Sequence, residues 1–127
     1  MRRHGDWFRQ AERKLASARW DMEGGFYEDA CFSAQQAAEL AAKAWLEGQG
    51  RVEISHAVSY LLARAGQPPV EILQAARTLD RYYIPTRYPN GFDRGAPMDY
   101  YDAQTAEEAV RLAKIILDYV AEQLKRI

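Results

Sequence analysis

The segment LDRYYIPTRYPNGFDRG, from Leu79 to Gly95, interleaves rings with cations. Tyr82, Tyr83, Tyr88 and Phe92 offer faces on which bases stack. Arg81, Arg87 and Arg94 offer charge for phosphates, and Asn90 adds an amide, a mixture suited to local binding of a nucleotide or a single strand. A structural reading competes with this one: the aromatics plug the end of a bundle while Pro85 and Pro89 stiffen the crossing. His56 is the second chemically apt residue. It follows Ser55 at the expected start of a short helix, where free N–H groups and the helix dipole attract a phosphate. There the imidazole would act as general acid or base near neutral pH, and Arg51 would stabilise charge developing on a phosphorane. In the competing reading His56 only bonds a neighbouring loop and orders the start of that helix.

Other chemistries find less support. Glu39 and Lys43 read as a helical i,i+4 pair, and Gln35 and Gln36 as groups that bond across a helix interface. Glu28, Asp29, Glu107 and Glu108 fall near expected helix starts, where the dipole explains carboxylates without a metal. Cys31 is the only cysteine; its alanine-rich setting favours a small buried residue over a nucleophile. Glycine-rich phosphate loops, nucleophile elbows and metal-ligand spacings are missing, so no metal or cofactor is expected. With 17 basic and 18 acidic residues the chain lacks the surplus charge of a protein that coats nucleic acid.

These residues must be positioned by helices. The 127 residues, 48% hydrophobic and 28% charged, suit one globular domain spanning 1–127. A first helix is expected from Asp6, as N-cap, to the Gly24-Gly25 pair, with Phe8, Ala11, Leu15, Ala18 and Met22 along one stripe. The second, ending at Gly48 or Gly50, is apolar around most of its circumference and so belongs at the centre, its small residues letting other axes approach. Ser55 should cap a short third helix, and Pro69 should open a fourth. A long last helix should begin near Thr105, with Thr105 and Glu108 as a capping box. No segment alternates with period two. The expected fold is all-α: an up-and-down bundle of about five helices with a long loop before the last. The opening MRRHGDW lacks the apolar core of a signal peptide, and no apolar run nears the ~18 residues of a membrane span, so the expected location is cytoplasmic.

The runs YEDACFSAQQAAELAAKAWLEGQG, SHAVSYLL, TRYPNGFD and YYDAQTAEEAVRLAKIILDYVAEQL together resemble the HEPN domain, named for higher eukaryotes and prokaryotes. The markers are Gln35, Gln36, Ala37, Ala38 and Glu39 followed by Lys43, then His56, then Arg87-Tyr88-Pro89. The resemblance implies a helical bundle, commonly a homodimer, often paired with a separately encoded minimal nucleotidyltransferase in a toxin–antitoxin-like module. Nuclease members carry an arginine, four to six residues, then a histidine, a spacing that Arg51 and His56 meet. In those members the motif typically opens a late helix, whereas Arg51 and His56 lie between the second and third helices. Three functions follow: a nucleotide-binding or interaction module presenting Arg81, Arg87, Tyr88, Asn90 and Arg94; a metal-independent RNase acting on single-stranded RNA through Arg51 and His56 across or beside a dimer cleft; or a structural adaptor.

Overall fold

The computed structural model describes residues 3–127, which form five α-helices, two short 3-10 turns and no strand. The helices are α1 (His4–Glu23), α2 (Tyr27–Gly48), α3 (Val58–Ala65), α4 (Val70–Asp80) and α5 (Ala103–Leu124). The all-α bundle expected from the periodicity is the fold.

The hub is α2, which packs on α1, α3, α4 and α5. Ala34, Ala37, Ala38 and Ala41 are fully buried, so helices lie close on several sides of it. The stripe Ala11, Leu15 and Ala18 of α1 meets it from one side, and Ala106, Ala109, Ala113, Ile116 and Val120 of α5 complete the core. The hairpin between α1 and α2 turns at Gly25, whose φ of 84° suits glycine, and the Phe26 N–H donates to the Asp21 carbonyl at 2.8 Å. Near the other end of α2, Trp45 packs edge-on to Tyr119, and Gly66 backs against its ring so closely that a Cβ there would stand 2.7 Å away.

Three helix starts differ from those expected, and one of them, that of α3, is capped from elsewhere in the chain. α1 begins at His4, placing Asp6 inside its first turn, where its carboxylate accepts from Arg3 Nε at 3.0 Å. α5 begins at Ala103 behind Asp102, whose carboxylate takes both the N–H and the hydroxyl of Thr105 at 2.8 Å. Those bonds hold the Asp102 carboxyl below its ordinary pKa, and they displace the expected cap at Thr105. α3 begins at Val58. Ser55 only accepts from the Ala57 N–H, while Asp80, the last residue of α4, receives the N–H groups of Val58 at 2.6 Å and Ser59 at 3.4 Å and the Ser59 hydroxyl at 2.6 Å. At its other end the carbonyls of Arg64 and Ala65 accept from Arg51 and Gln49. A helix of eight residues is too short to hold itself in water, and side chains from outside it satisfy both its ends.

Candidate functional site

The site grows from a carboxylate on the central helix. Glu39 lies on a face of α2 that is otherwise closed, and it is only 5% exposed. A buried carboxylate must be paired, and four side chains converge on it. Lys43 Nζ donates at 2.9 Å from one turn on, Gln35 Nε2 at 3.2 Å from one turn back, and Gln36 Nε2 at 3.4 Å. The fourth is His56, whose Nδ1 lies 3.2 and 3.3 Å from the two carboxylate oxygens. Gln35, fully buried, also donates to the His56 carbonyl at 2.9 Å, so both the ring and the backbone of His56 are tied to α2. A carboxylate accepts, so the proton of the neutral ring sits on Nδ1 and Nε2 keeps its lone pair. With the His56 side chain 58% exposed, Nε2 is the nitrogen that remains for chemistry.

The long connection after α4 supplies the other wall. The Tyr83 ring stacks on His56 with centroids 4.4 Å apart and planes 15° from parallel. The Arg87 guanidinium lies 4.6 Å from the Tyr83 centroid, 4.5 Å from Phe32 and 5.2 Å from Tyr88, and its Nε donates to the Tyr83 carbonyl. His56 and Arg87 thus share one ring. His56, Arg81 and Tyr83 line an open depression whose remaining wall is Ala57, Ile84 and Pro85, with Asp80 at its edge. Arg87 also lines a second depression beside Glu28, Asp29 and Met98.

The aromatics of this connection divide. Tyr82 packs edge-on to Tyr101, and burial pushes its phenol up to about 12. Phe92 stacks on Tyr100 at 4.0 Å and Thr86, itself buried, donates to the Tyr82 carbonyl. Tyr88, Asn90 and Arg94 face solvent. Part of the segment therefore packs as the structural reading requires, while its arginines and Tyr88 stay outside.

The structure does not bring Arg51 to His56. Arg51 Nη1 donates to the Arg64 carbonyl at 2.6 Å, at the C-terminal end of α3, while His56 stands before its N-terminal end, roughly 10 Å away along the helix. The two line different cavities. The phosphate expected at the start of α3 also meets a difficulty, because Asp80 already takes the first N–H groups. Cys31 is fully buried, which pushes its thiol up to about 12 and leaves no thiolate near neutral pH. Among the described residues no three metal-ligating side chains gather, and no helix is long and apolar enough to cross a membrane. Sequence reasoning missed Phe32, Asp80 and the burial of Glu39. Its one available signal was polar: Gln35, Gln36, Glu39 and Lys43 interrupt the alanine-rich middle of α2.

A family model described as the HEPN domain matches residues 4–124. Among solved structures, TT1696 from Thermus thermophilus is 41% identical with a TM-score of 0.94, covering 97% of this chain and 99% of that one. An archaeal HEPN homologue is 45% identical with a TM-score of 0.85, covering 98% and 99%. A HEPN domain protein from Thermotoga maritima is 31% identical with a TM-score of 0.78, covering 96% and 99%. Among curated proteins nothing matches. Identity this high over nearly the whole of both chains goes well beyond a shared bundle of helices, and the chain belongs to the HEPN domain family.

Proposed function

We propose that this HEPN domain is a nucleotide-binding module, acting as a homodimer beside a separately encoded minimal nucleotidyltransferase. The observation that carries the binding reading is the shared depression of His56 and Arg81, with Arg87 held against the same Tyr83 ring. A phosphate seated there takes the Arg81 guanidinium, a ribose hydroxyl donates to His56 Nε2, and Ile84 and Pro85 give a base an apolar wall. Arg94, Asn90 and Tyr88 extend the exposed surface along the same connection. Calorimetric titration of the protein with nucleoside monophosphates tests this: wild type should bind and Arg81→Ala should weaken binding about tenfold or more. Absence of binding at millimolar nucleotide would remove the reading and favour the adaptor.

A second reading, RNase activity, is favoured by the Glu39–His56 contact, the arrangement that orients a general base. His56 Nε2 would take the proton of the ribose 2′-hydroxyl as O2′ bonds to phosphorus, and Arg81 would neutralise the phosphorane in the place first expected for Arg51; the P–O5′ bond would then break, leaving a 2′,3′-cyclic phosphate, with the 5′-oxygen taking a proton from water. Cleavage of single-stranded RNA in EDTA, lost in His56→Ala and kept in Arg51→Ala, is the result this reading requires.

A further inference from the structure

We infer that His56 decides which ligand the depression beside it accepts: the neutral ring takes one that carries a hydroxyl next to its phosphate, and the charged ring takes a bare tetrahedral oxyanion. The inference rests on the nucleotide-binding reading above and adds a specificity-determining proton to it.

Glu39 makes the choice sharp. Its two oxygens lie 3.2 and 3.3 Å from Nδ1, so that nitrogen carries a proton in either charge state and Nε2 alone gains or loses one. A half-turn of the ring would set a carbon against a buried carboxylate. Tyr83 lies flat against the ring at 4.4 Å, and the bond from Gln35 Nε2 to the His56 carbonyl at 2.9 Å fixes the backbone behind it. Nε2 is therefore a single two-state group. With its lone pair it accepts from a hydroxyl and repels a phosphate oxygen, whereas as an N–H on a charged ring it donates to that oxygen.

The charges around the ring couple its proton to the ligand. From α2 comes Glu39, which favours a charged ring and is itself shared with Lys43 at 2.9 Å. From the end of α4 come Asp80, whose oxygens are engaged by the start of α3, and Arg81. From the linker come Tyr83 and the Arg87 held over it. Among the described residues neither Arg81 nor Arg87 has a carboxylate within ion-pair reach, so both oppose a charge on His56. A dianion seated at Arg81 removes that opposition and draws a proton onto Nε2. By linkage, a proton on Nε2 tightens the hold on the dianion.

Sulfate separates the two states, because it stays a dianion throughout the working range of pH and brings no hydroxyl. In calorimetric titrations of the full chain, its dissociation constant should rise about tenfold or more between pH 6 and pH 8.5. Adenosine 5′-monophosphate, which has ribose hydroxyls, should weaken far less over the same range. His56→Gln carries an amide that donates at every pH, so its sulfate affinity should be flat. His4→Gln changes the only other histidine and should keep the wild-type profile. Nitrogen-15 spectra of wild type need no variant: saturating sulfate at pH 7.5 should move the Nε2 signal of His56 from that of a bare nitrogen to that of a protonated one. Five results overturn this inference and leave nucleotide binding standing: a flat sulfate profile in wild type, a profile that survives His56→Gln, an Nε2 signal unmoved by bound sulfate, a nucleotide affinity that falls as steeply as that for sulfate, or binding of the nucleotide with none of sulfate at pH 6. Failure of both probes to bind at millimolar concentration and pH 6 overturns both.

Discussion

The two longest connections of this protein turn their charged side chains in opposite directions. Between α2 and α3 the polar side chains of Arg51 and Glu53 turn inward and Val52 and Ile54 turn out. Between α4 and α5, Tyr82, Phe92 and Tyr101 pack together while Arg81, Asn90 and Arg94 face water. The difference traces to what each must satisfy. The first runs past the C-terminal end of α3, whose carbonyls need donors. Once Arg51 supplies one, the alternation of an extended chain throws Val52 to the other side. The second has no helix end to serve at its middle, and three of its rings, Tyr82, Phe92 and Tyr101, pack on one another while Tyr88 and Tyr100 stay about half exposed. The connections meet where His56 lies on Tyr83, so the candidate site is a junction between two differently folded linkers, clasped by Glu39 and Asp80.

Breaking the clasp at Glu39 should have the largest effect. Glu39→Ala leaves Lys43 and His56 without their shared acceptor, and the loss should be about 3 kcal/mol by urea denaturation, most of it recovered in Glu39→Gln only if hydrogen bonding outweighs charge. A loss below about 1 kcal/mol would mean that water replaces the carboxylate and that the first linker is not anchored there.

Asp80 joins the start of α3 to the end of α4, at the base of the second linker. Asp80→Ala should cost about 1–2 kcal/mol, the worth of a helix cap, and should loosen His56 from Tyr83. Imidazole resonances that keep their ring-current shift in this variant would show the stack to be independent of the clasp.

The exposed edge of the second linker should matter to ligands more than to folding. Arg87→Ala with Tyr88→Ala should leave the helical dichroism nearly intact and weaken nucleotide binding about tenfold. Cooperative loss of the fold would instead make the whole segment a plug, and the contrast between its inner rings and outer cations would disappear.

The smallest effect is at the end of that linker. The Thr105 bonds lower the pKa of Asp102 in the folded state, so its contribution is fully present above the ordinary value of 3.8 and fades as pH falls through the lower folded value. Acid titration of stability should therefore show a slightly shallower fall below pH 4 in Asp102→Asn than in wild type. Coincident curves would assign no net stabilisation to the cap.

Much of this architecture was legible from local order in the sequence. The stripe through Ala11, Leu15 and Ala18, the small residues on all sides of α2 and the regular spacing from Ala106 to Val120 each repeat within a few residues, because a helix brings i, i+3 and i+4 together before any tertiary contact forms. The turn at Gly24 and Gly25 was equally local. The site was not. Glu39 finds His56 seventeen positions away, and Asp80 finds Ser59 twenty-one positions away, separations at which no periodicity operates. Arg51 and His56 lie close in the chain yet serve opposite ends of α3, while Arg81 and His56, distant in the chain, share one depression. Residue types alone named the reagents, His56 and the arginines. Only the packing of α3 and α4 against α2 decided which of them stand together, because that packing satisfies buried donors and acceptors wherever the chain supplies them.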